Sequence, residues 1–171
     1  MFIAHLPAGY LAARLVALRV GHGATPRLVL TGMAGGVFPD IDLLYGALMD
    51  GGRIHHHLYW PHLPLVWASA GLLLLLARRR LDNAWWRLCG VFMLGAWSHL
   101  LLDSVAGDIW WLWPWLDTPF SLVNIPAIHA RWWLNYLLHW SFAVELAIVA
   151  LAFWWESQRP ILRHWNWRPA S

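Results

Sequence analysis

The sequence predicts an all-α membrane protein: a multi-span transmembrane helical bundle with about four to five membrane helices, some of them short or broken. Apolar residues make up 60% of the chain and charged residues only 12%, whereas soluble domains are roughly 45–50% apolar. The mean hydropathy is +0.47, with 16 tryptophans. Too little polar surface remains to cover a water-soluble globule, so a soluble enzyme, a disordered chain and a disulfide scaffold are disfavoured.

Five apolar runs follow one another along the chain. A full span needs about 20 residues at 1.5 Å each, so only the last two runs are long enough to cross a membrane on their own. The third becomes adequate if it starts near Trp60. The first two are short or interrupted, which predicts tilted, partly inserted or broken helices around a protein-lined cavity. The runs cover residues 6–20, 28–49 with a break at Pro39, 65–77, 85–105 and 132–155.

Residues 1–171 are expected to form a single integral-membrane domain. No internal repeat, low-complexity tract or Ser/Gly-rich linker divides the chain. The lone cysteine, Cys89, is interpreted as a small hydrophobic residue in an apolar run. No charged segment precedes the first run and no small-residue cleavage site follows it, so we expect no removable signal peptide.

Arginine supplies all the positive charge, since the chain has 12 basic residues and no lysine. The arginines flank apolar runs, which favours the lipid bilayer and disfavours nucleic acid as a partner. The positive-inside rule makes these flanks cytoplasmic in a bacterial-type inner (plasma) membrane. The arginines used in this argument are Arg19 and Arg27, Arg78 to Arg80, and Arg159, Arg163 and Arg168.

The same topology places the histidines and aspartates of separate segments on the outer, periplasmic side. Asp103, for example, lies roughly 27 Å along the fourth run when counted from Trp85 at about 1.5 Å per residue. Polar groups scattered through the sequence therefore converge at one depth, which indicates a single site.

His99 and Asp103 are four residues apart, on the same face of a helix. A histidine nitrogen and a carboxylate oxygen at that spacing can bind one metal ion. The alternative is a His–Asp hydrogen bond that satisfies two polar groups inside a bundle.

Asp40 and Asp42 lie at the bend that Pro39 is expected to introduce after a glycine-rich stretch. Carboxylates two apart in a loop can bind or bridge divalent cations. One aspartate could instead cap the following helix, which leaves the second unexplained.

Three consecutive histidines, His55 to His57, followed by His62, are the most unusual local feature. Loop histidines are often only solvated, but neutral imidazole is the commonest transition-metal ligand. His57 and His62 are the better ligand candidates, with His55 or His56 as a further ligand or a proton-transfer group.

Other polar residues receive structural interpretations. His139 and Glu145 lack the spacing of a His-x3-Glu metal motif. Glu145 lies near the middle of its run and Arg14 lies at a comparable depth, so we expect a buried contact between them with a structural role. Asp108 and His129 are expected to be solvated, and His22 and His164 to lie on the cytoplasmic side. Tryptophans 110, 111, 113, 115, 132 and 133 are assigned to the interfacial aromatic belt, with a ligand platform as the alternative.

Taken in order, these motifs resemble the YdjM-like membrane-bound metal-dependent hydrolases over most of the chain. The resemblance implies a multi-span helical protein with a metal centre that hydrolyses a substrate such as a phosphoester. The motifs that carry it are His5 before an apolar helix, Phe-Pro-Asp-Ile-Asp with Asp40 and Asp42, His-x4-His with His57 and His62, and Ser-His-x3-Asp with His99 and Asp103, followed by Leu112-Trp113-Pro114.

The chain departs from the family segment His-Arg-Gly-x-Thr-His, because Leu58 replaces the arginine and Pro61 the threonine. Arg53 or Arg131 is a candidate to replace the lost charge. By analogy, the arrangement also looks like that of zinc-dependent phospholipases C and related nucleases.

The leading hypothesis is a hydrolase in which a divalent metal ion, zinc or manganese, activates a water molecule, with Asp42 or His56 moving the proton. A site at the outer interface would meet a phosphoester or a lipid-linked substrate. The alternatives are a metal-binding transport protein and an assembly protein with a structural metal, neither with hydrolytic activity. The expected metal ligands are His5, Asp40, Asp42, His57, His62, His99 and Asp103.

Overall fold

The computed structural model describes residues 3–19, 21, 23–49, 51 and 53–162, and the regular secondary structure of this part of the chain is helical, apart from one isolated β-bridge, Ile109–Phe120. The all-α prediction is confirmed. Arg163, Arg168, His22 and His164 lie outside the described residues. The α-helices are α1 (His5–Arg19), α2 (Pro26–Val37), α3 (Ile41–Met49), α4 (Pro64–Leu76), α5 (Asn83–Ala106), α6 (Trp132–Leu137) and α7 (Trp140–Gln158), and 3₁₀ turns cover His56–Leu58, Trp60–His62 and Ala77–Arg80.

Two of the described helices, α5 and α7, are long and apolar enough to cross a membrane alone. The pair α2 and α3 qualifies only together, as a broken span or a re-entrant loop, with an angle of 40° at the break, where the sequence predicts a bend at Pro39. Helices α1 and α4 have 15 and 13 residues, short of the roughly 20 that a span needs. The last run is not one helix: the His139 side chain accepts a bond from the Ser141 N–H and caps α7, so α6 and α7 are separate.

Helices α1, α2 and α5 pack backbone against backbone. A Cβ added at Gly32 would lie 2.5 Å from the carbonyl oxygen of Gly9, and one at Gly95 would lie 2.3 Å from that of Gly32. One at Gly36 would lie 2.4 Å from the carbonyl oxygen of His5. Only glycine allows helices to approach this closely, and this approach sets the distance between the histidines of α1 and α5.

Helices α1 and α7 run parallel and are joined at both ends by buried polar groups. Near the start of both helices, Glu145 accepts a hydrogen bond from the Ala4 N–H at 3.2 Å. Further along, Arg14 donates to the Tyr10 hydroxyl at 2.9 Å and pairs with Glu156 at 3.4 Å. The expected contact between Arg14 and Glu145 is therefore wrong. Parallel packing puts Arg14 level with Glu156, at the opposite end of α7 from Glu145.

The helix directions place the polar candidates at one end of the bundle and a group of five arginines at the other, while Arg53 and Arg131 lie in the loops at the first end. Helices α1 and α4 begin, and α2 and α5 end, at the end of the bundle that carries the histidines and aspartates. The opposite end carries Arg19, Arg27 and Arg78 to Arg80. The histidines and aspartates are thus separated from these arginines by nearly the length of α5, which is about 30 Å for the 20 residues from Asn83 to Asp103.

Candidate metal centre

Asp103, near the C-terminal end of α5, is the centre of a buried histidine cluster. Its Oδ2 lies 3.0 Å from Nε2 of His99 and 3.5 Å from Nε2 of both His57 and His62. Its Oδ1 lies 3.1 Å from Nε2 of His5. All five side chains are buried. One carboxylate thus connects α1, α5 and the loop between α3 and α4.

Three of these imidazoles are fixed through their other ring nitrogen. Nδ1 of His99 donates to the Gly36 carbonyl at 2.7 Å, and Nδ1 of His57 donates to the Asp108 carbonyl at 2.8 Å. Nδ1 of His62 is hydrogen-bonded to the Asp42 carboxylate. A carbonyl only accepts, so Nδ1 carries the proton, and in the neutral ring Nε2 has the free lone pair. This is the arrangement that orients histidine ligands in metalloproteins.

Asp40 contributes a second carboxylate from the more open side of the cluster. Its Oδ1 lies 3.6 Å from Nε2 of His99 and 3.9 Å from Nε2 of His62, and its side chain is 29% exposed. Asp40, His62 and His99 form one group that could hold a metal ion. The other two groups are His5, His99 and Asp103, and His56, His57 and His62.

The donor distances fit a divalent transition metal. Zinc–nitrogen bonds of about 2.0–2.1 Å in a tetrahedral site place ligand atoms roughly 3.3 Å apart. In the cluster, Nε2 of His62 is 3.1 Å from Nε2 of His99, and both lie within 3.5 Å of Asp103 Oδ2. Mixed imidazole and carboxylate donors suit zinc and manganese.

Asp42 lies behind the cluster. Its carboxylate, 1% exposed, is bonded to His62, and Oδ1 lies 3.6 Å from Nδ1 of the half-buried His56. This places Asp42 where it can orient His62 and stabilise a positive charge on His56.

The loop histidines differ in their affinity for protons. Burial opposes a charge on His62, but the hydrogen bonds to Asp103 and Asp42 outweigh it and raise its pKa to about 9. Burial lowers the pKa of His57 in spite of Asp103, and burial with the neighbouring His56 lowers that of the more exposed His55. His57 is therefore neutral at pH 7, the form in which histidine binds a metal.

Local packing holds the loop in place. Trp67 donates from its indole nitrogen to the Pro61 carbonyl at 2.7 Å, next to His62. A Cβ added at Gly107 would lie 2.9 Å from Cε1 of His57, so a larger residue there would displace the His57 ring.

A cavity of about 380 Å³ opens beside the cluster. Part of the lining consists of site residues. The rest was not predicted from the sequence, which assigned Trp132 to the aromatic belt. Asn135 fastens this part of the lining by bonds to the main-chain N–H and carbonyl of His129, at 2.6 and 3.0 Å. The lining consists of Asp40, His55, His56, His57, Asp103, Ala106, Gly107, Ile125, Ala127, Trp132, Asn135 and Tyr136.

The structure brings together every residue that the sequence singled out as a ligand or proton-transfer group except His55, which lines the cavity but is in none of the three groups that could hold a metal. The sequence analysis missed two main-chain carbonyls that accept hydrogen bonds from the cluster, those of Gly36 and Asp108. The glycine-rich stretch around Gly36 was a signal for the first, whereas no pattern marked the second. Arg53 and Arg131 are not among the described residues that line the cavity, and Arg131 lies over the Trp133 ring instead. The residues that converge are His5, Asp40, Asp42, His56, His57, His62, His99 and Asp103.

Comparison with known proteins identifies a family. The model of a family described as YdjM inner membrane protein matches residues 1–165, nearly the whole chain. Searches of curated proteins and of solved structures return no match. The family match and the apolar helices identify a membrane protein.

Proposed function

The chain belongs to the YdjM inner membrane protein family, and from this premise we propose that it is a membrane-bound metal-dependent hydrolase acting on a phosphoester or lipid-linked substrate. One observation carries the proposal: three Nε2 atoms with anchored rings surround Asp103 beside an open cavity. A metal that only holds a structure together is usually closed in by its ligands, whereas a catalytic site keeps a position open.

Six side chains would hold one or two divalent ions, zinc or manganese. A bound ion would lower the pKa of a coordinated water towards neutrality and polarise the bond to be broken. The side chains are His5, Asp40, His57, His62, His99 and Asp103.

His56 is the proton-transfer group in this proposal. It lines the cavity and is half-buried, and Nδ1 lies 3.6 Å from Oδ1 of Asp42. The carboxylate therefore stabilises the imidazolium that forms when His56 takes a proton from the attacking water. Asp42, which also fixes His62, acts as a positioning residue.

The site faces the outer, periplasmic side in this proposal. The support is the group Arg19, Arg27 and Arg78 to Arg80 at the opposite end of the helices from Asp103, which outnumbers Arg53 and Arg131 at the site end, together with the positive-inside rule. The substrate would then reach the cavity from the outer leaflet.

Hydrolysis by metal-loaded and metal-stripped protein tests the proposal, with bis(4-nitrophenyl) phosphate as the probe. We expect activity that requires zinc or manganese and that His56→Gln lowers by about 10²- to 10⁴-fold while metal content stays unchanged. His129→Gln, an exposed histidine outside the cavity lining, is the control and should be fully active. Stoichiometric metal without any hydrolysis would favour a metal-binding transport or assembly protein instead.

A further inference from the structure

We propose that the protein holds one anionic phospholipid at the end of the bundle opposite the metal centre. The lipid phosphate lies between two arginines, and one acyl chain lies in an apolar groove along α5. This lipid site shares no residue with the metal centre and does not depend on hydrolysis. It is built from two neighbouring cavities, which we call the headgroup cavity and the chain groove.

The headgroup cavity, of about 410 Å³, lies between the turn that follows α1 and the beginning of α5. Arg27, in the first turn of α2, and Arg87, near the start of α5, both line it. No carboxylate is among the described residues of this lining. Within the described part of the chain neither guanidinium forms an ion pair, and Nε of Arg87 donates to the Asn83 carbonyl at 3.1 Å. Two positive charges thus face a cavity without a carboxylate partner.

This lining selects a ligand with a net negative charge. Guanidinium pairs with phosphate through two parallel charge-assisted hydrogen bonds. Thr25 adds a hydroxyl group, whose oxygen accepts from the Leu28 N–H at 3.3 Å and whose hydrogen remains to donate. A zwitterionic headgroup also carries an ammonium, which would find no carboxylate in the described lining. The cavity therefore fits a phosphate whose headgroup has no positive charge.

The chain groove, of about 580 Å³, runs along the bundle between α4 and α5. Leucine, glycine, valine and tryptophan supply most of its lining, and Leu72 and Leu94 within it are exposed, so it opens to the bilayer. On α5 the groove extends from Trp86 to Trp97, about 16 Å for these 11 residues. This length is close to half of the roughly 30 Å hydrocarbon core. The groove thus matches the depth that the acyl chains of one leaflet occupy.

The two cavities are neighbours, because Val16 and Arg87 line both of them. Arg87 is four residues after the start of α5 at Asn83, about 6 Å along the helix, which places it near the boundary between headgroups and chains. A phospholipid has the same order, with its phosphate at the interface and its chains directly below. One molecule therefore occupies both cavities and holds α4 against α5.

The leaflet follows from the orientation proposed above. The headgroup cavity lies at the end of the helices that carries Arg19 and Arg78 to Arg80, which is the cytoplasmic end by the positive-inside rule. Basic pockets between helices on this side are typical sites for anionic lipid headgroups. The occupant is thus an anionic phospholipid of the cytoplasmic leaflet.

Lipid retention by the full-length protein tests the headgroup cavity. The protein is reconstituted in nanodiscs with equal amounts of phosphatidylglycerol and phosphatidylethanolamine that have identical chains, extracted in mild detergent and weighed by native mass spectrometry. We expect one phosphatidylglycerol per chain, retained at least about tenfold over phosphatidylethanolamine. The double variant Arg27→Gln, Arg87→Gln should retain about tenfold less phosphatidylglycerol.

A second double variant separates this site from the general attraction of arginines for anionic lipid. Arg79→Gln, Arg80→Gln removes the same charge from the same end of the bundle, and these exposed arginines are not among the described lining residues of either cavity. It should retain phosphatidylglycerol as the wild type does. Equal retention of the two lipids by the wild type, or an equal loss in the two double variants, would overturn the proposal.

A matched pair of substitutions on α4 tests the chain groove. Ala68 lines the groove, whereas its neighbour Ser69 is exposed and not among the described lining residues. We expect Ala68→Phe to lower phosphatidylglycerol retention about tenfold by filling the space of the acyl chain, and Ser69→Phe to leave it unchanged. Thermal unfolding in detergent checks that both variants fold. The same retention in both variants would contradict the groove, as would a lipid-free dimer, in which a second copy covers it.

Discussion

The Nε2 atoms of His62 and His99 face each other at 3.1 Å, although each ring already uses Nδ1 in a hydrogen bond. Two lone pairs at this distance repel, so a proton or a cation must lie between them. The hydrogen bonds to Asp103 and Asp42 that raise the pKa of His62 to about 9 favour a proton there in the metal-free site. A metal ion must displace it, and metal binding is then coupled to pH.

Zinc affinity should therefore increase with pH. Below about pH 9 His62 is protonated in the metal-free protein, so each unit of pH adds up to about tenfold in affinity for one released proton. Above that pH the dependence should level off. Calorimetric titration with zinc in two buffers of different ionisation enthalpy measures the proton release. His129→Ala is the control and should keep the slope, since His129 is exposed and is not among the described residues that line the cavity. A zinc affinity that does not change with pH would show that zinc binding does not displace a proton from His62.

Gly95 should be essential for packing, in contrast to Gly90 on the same helix. A Cβ at Gly95 would lie 2.3 Å from a main-chain oxygen of α2, whereas a Cβ at Gly90 meets nothing within 4 Å. We expect Gly95→Ala to destabilise the protein by about 1–3 kcal/mol through overpacking. Gly90→Ala should be neutral or stabilising by up to about 1 kcal/mol, because alanine favours a helix. Thermal unfolding in detergent compares them, and equal midpoints would exclude the close α2–α5 contact.

Arg14 should be energetically coupled to Glu156 and not to Glu145. Arg14 pairs with Glu156 at 3.4 Å, while Glu145 accepts hydrogen bonds from main-chain N–H groups at the start of α1. A double-mutant cycle with Arg14→Gln and Glu156→Gln should give a coupling of about 0.5–1.5 kcal/mol. The cycle with Glu145→Gln should be additive within error. A larger coupling to Glu145 would contradict the parallel register of α1 and α7.

The site end of the bundle should be accessible from the periplasm. In a Cys89→Ala background, Leu112→Cys in the loop after α5 should react with a membrane-impermeant maleimide on intact cells. Arg79→Cys, at the opposite end of the helices, should react only after the membrane is opened. The reverse pattern would place the site in the cytoplasm.

The sequence predicted which polar side chains lie together better than it predicted where the helices end, for physical reasons. Buried histidines and aspartates are costly in an apolar chain unless they have partners, so motifs such as His99 and Asp103 stand out. Span counts are weaker, because apolar content alone does not show where a helix stops. The cap at His139 splits the last run, and no periodicity marks it.

The register between helices was also beyond the sequence. Arg14 had two glutamates on α7 as possible partners, and only the parallel packing of α1 on α7 selects Glu156. The rest of the lining of the cavity beside the cluster comes from a loop and a short helix, where Ile125 and Trp132 are indistinguishable from ordinary membrane-facing residues. Main-chain partners such as the Asp108 carbonyl carry no side-chain signal at all.

The metal content of purified protein tests the central claim most directly. Elemental analysis in detergent should find zinc or manganese at about one or two ions per chain in the wild type, and in a His129→Ala control. The metal should be lost from a folded His99→Ala, Asp103→Ala double variant, since these residues meet at 3.0 Å in the centre of the cluster. A folded wild type that stays metal-free after incubation with both ions, or a double variant that keeps its metal, would contradict the account.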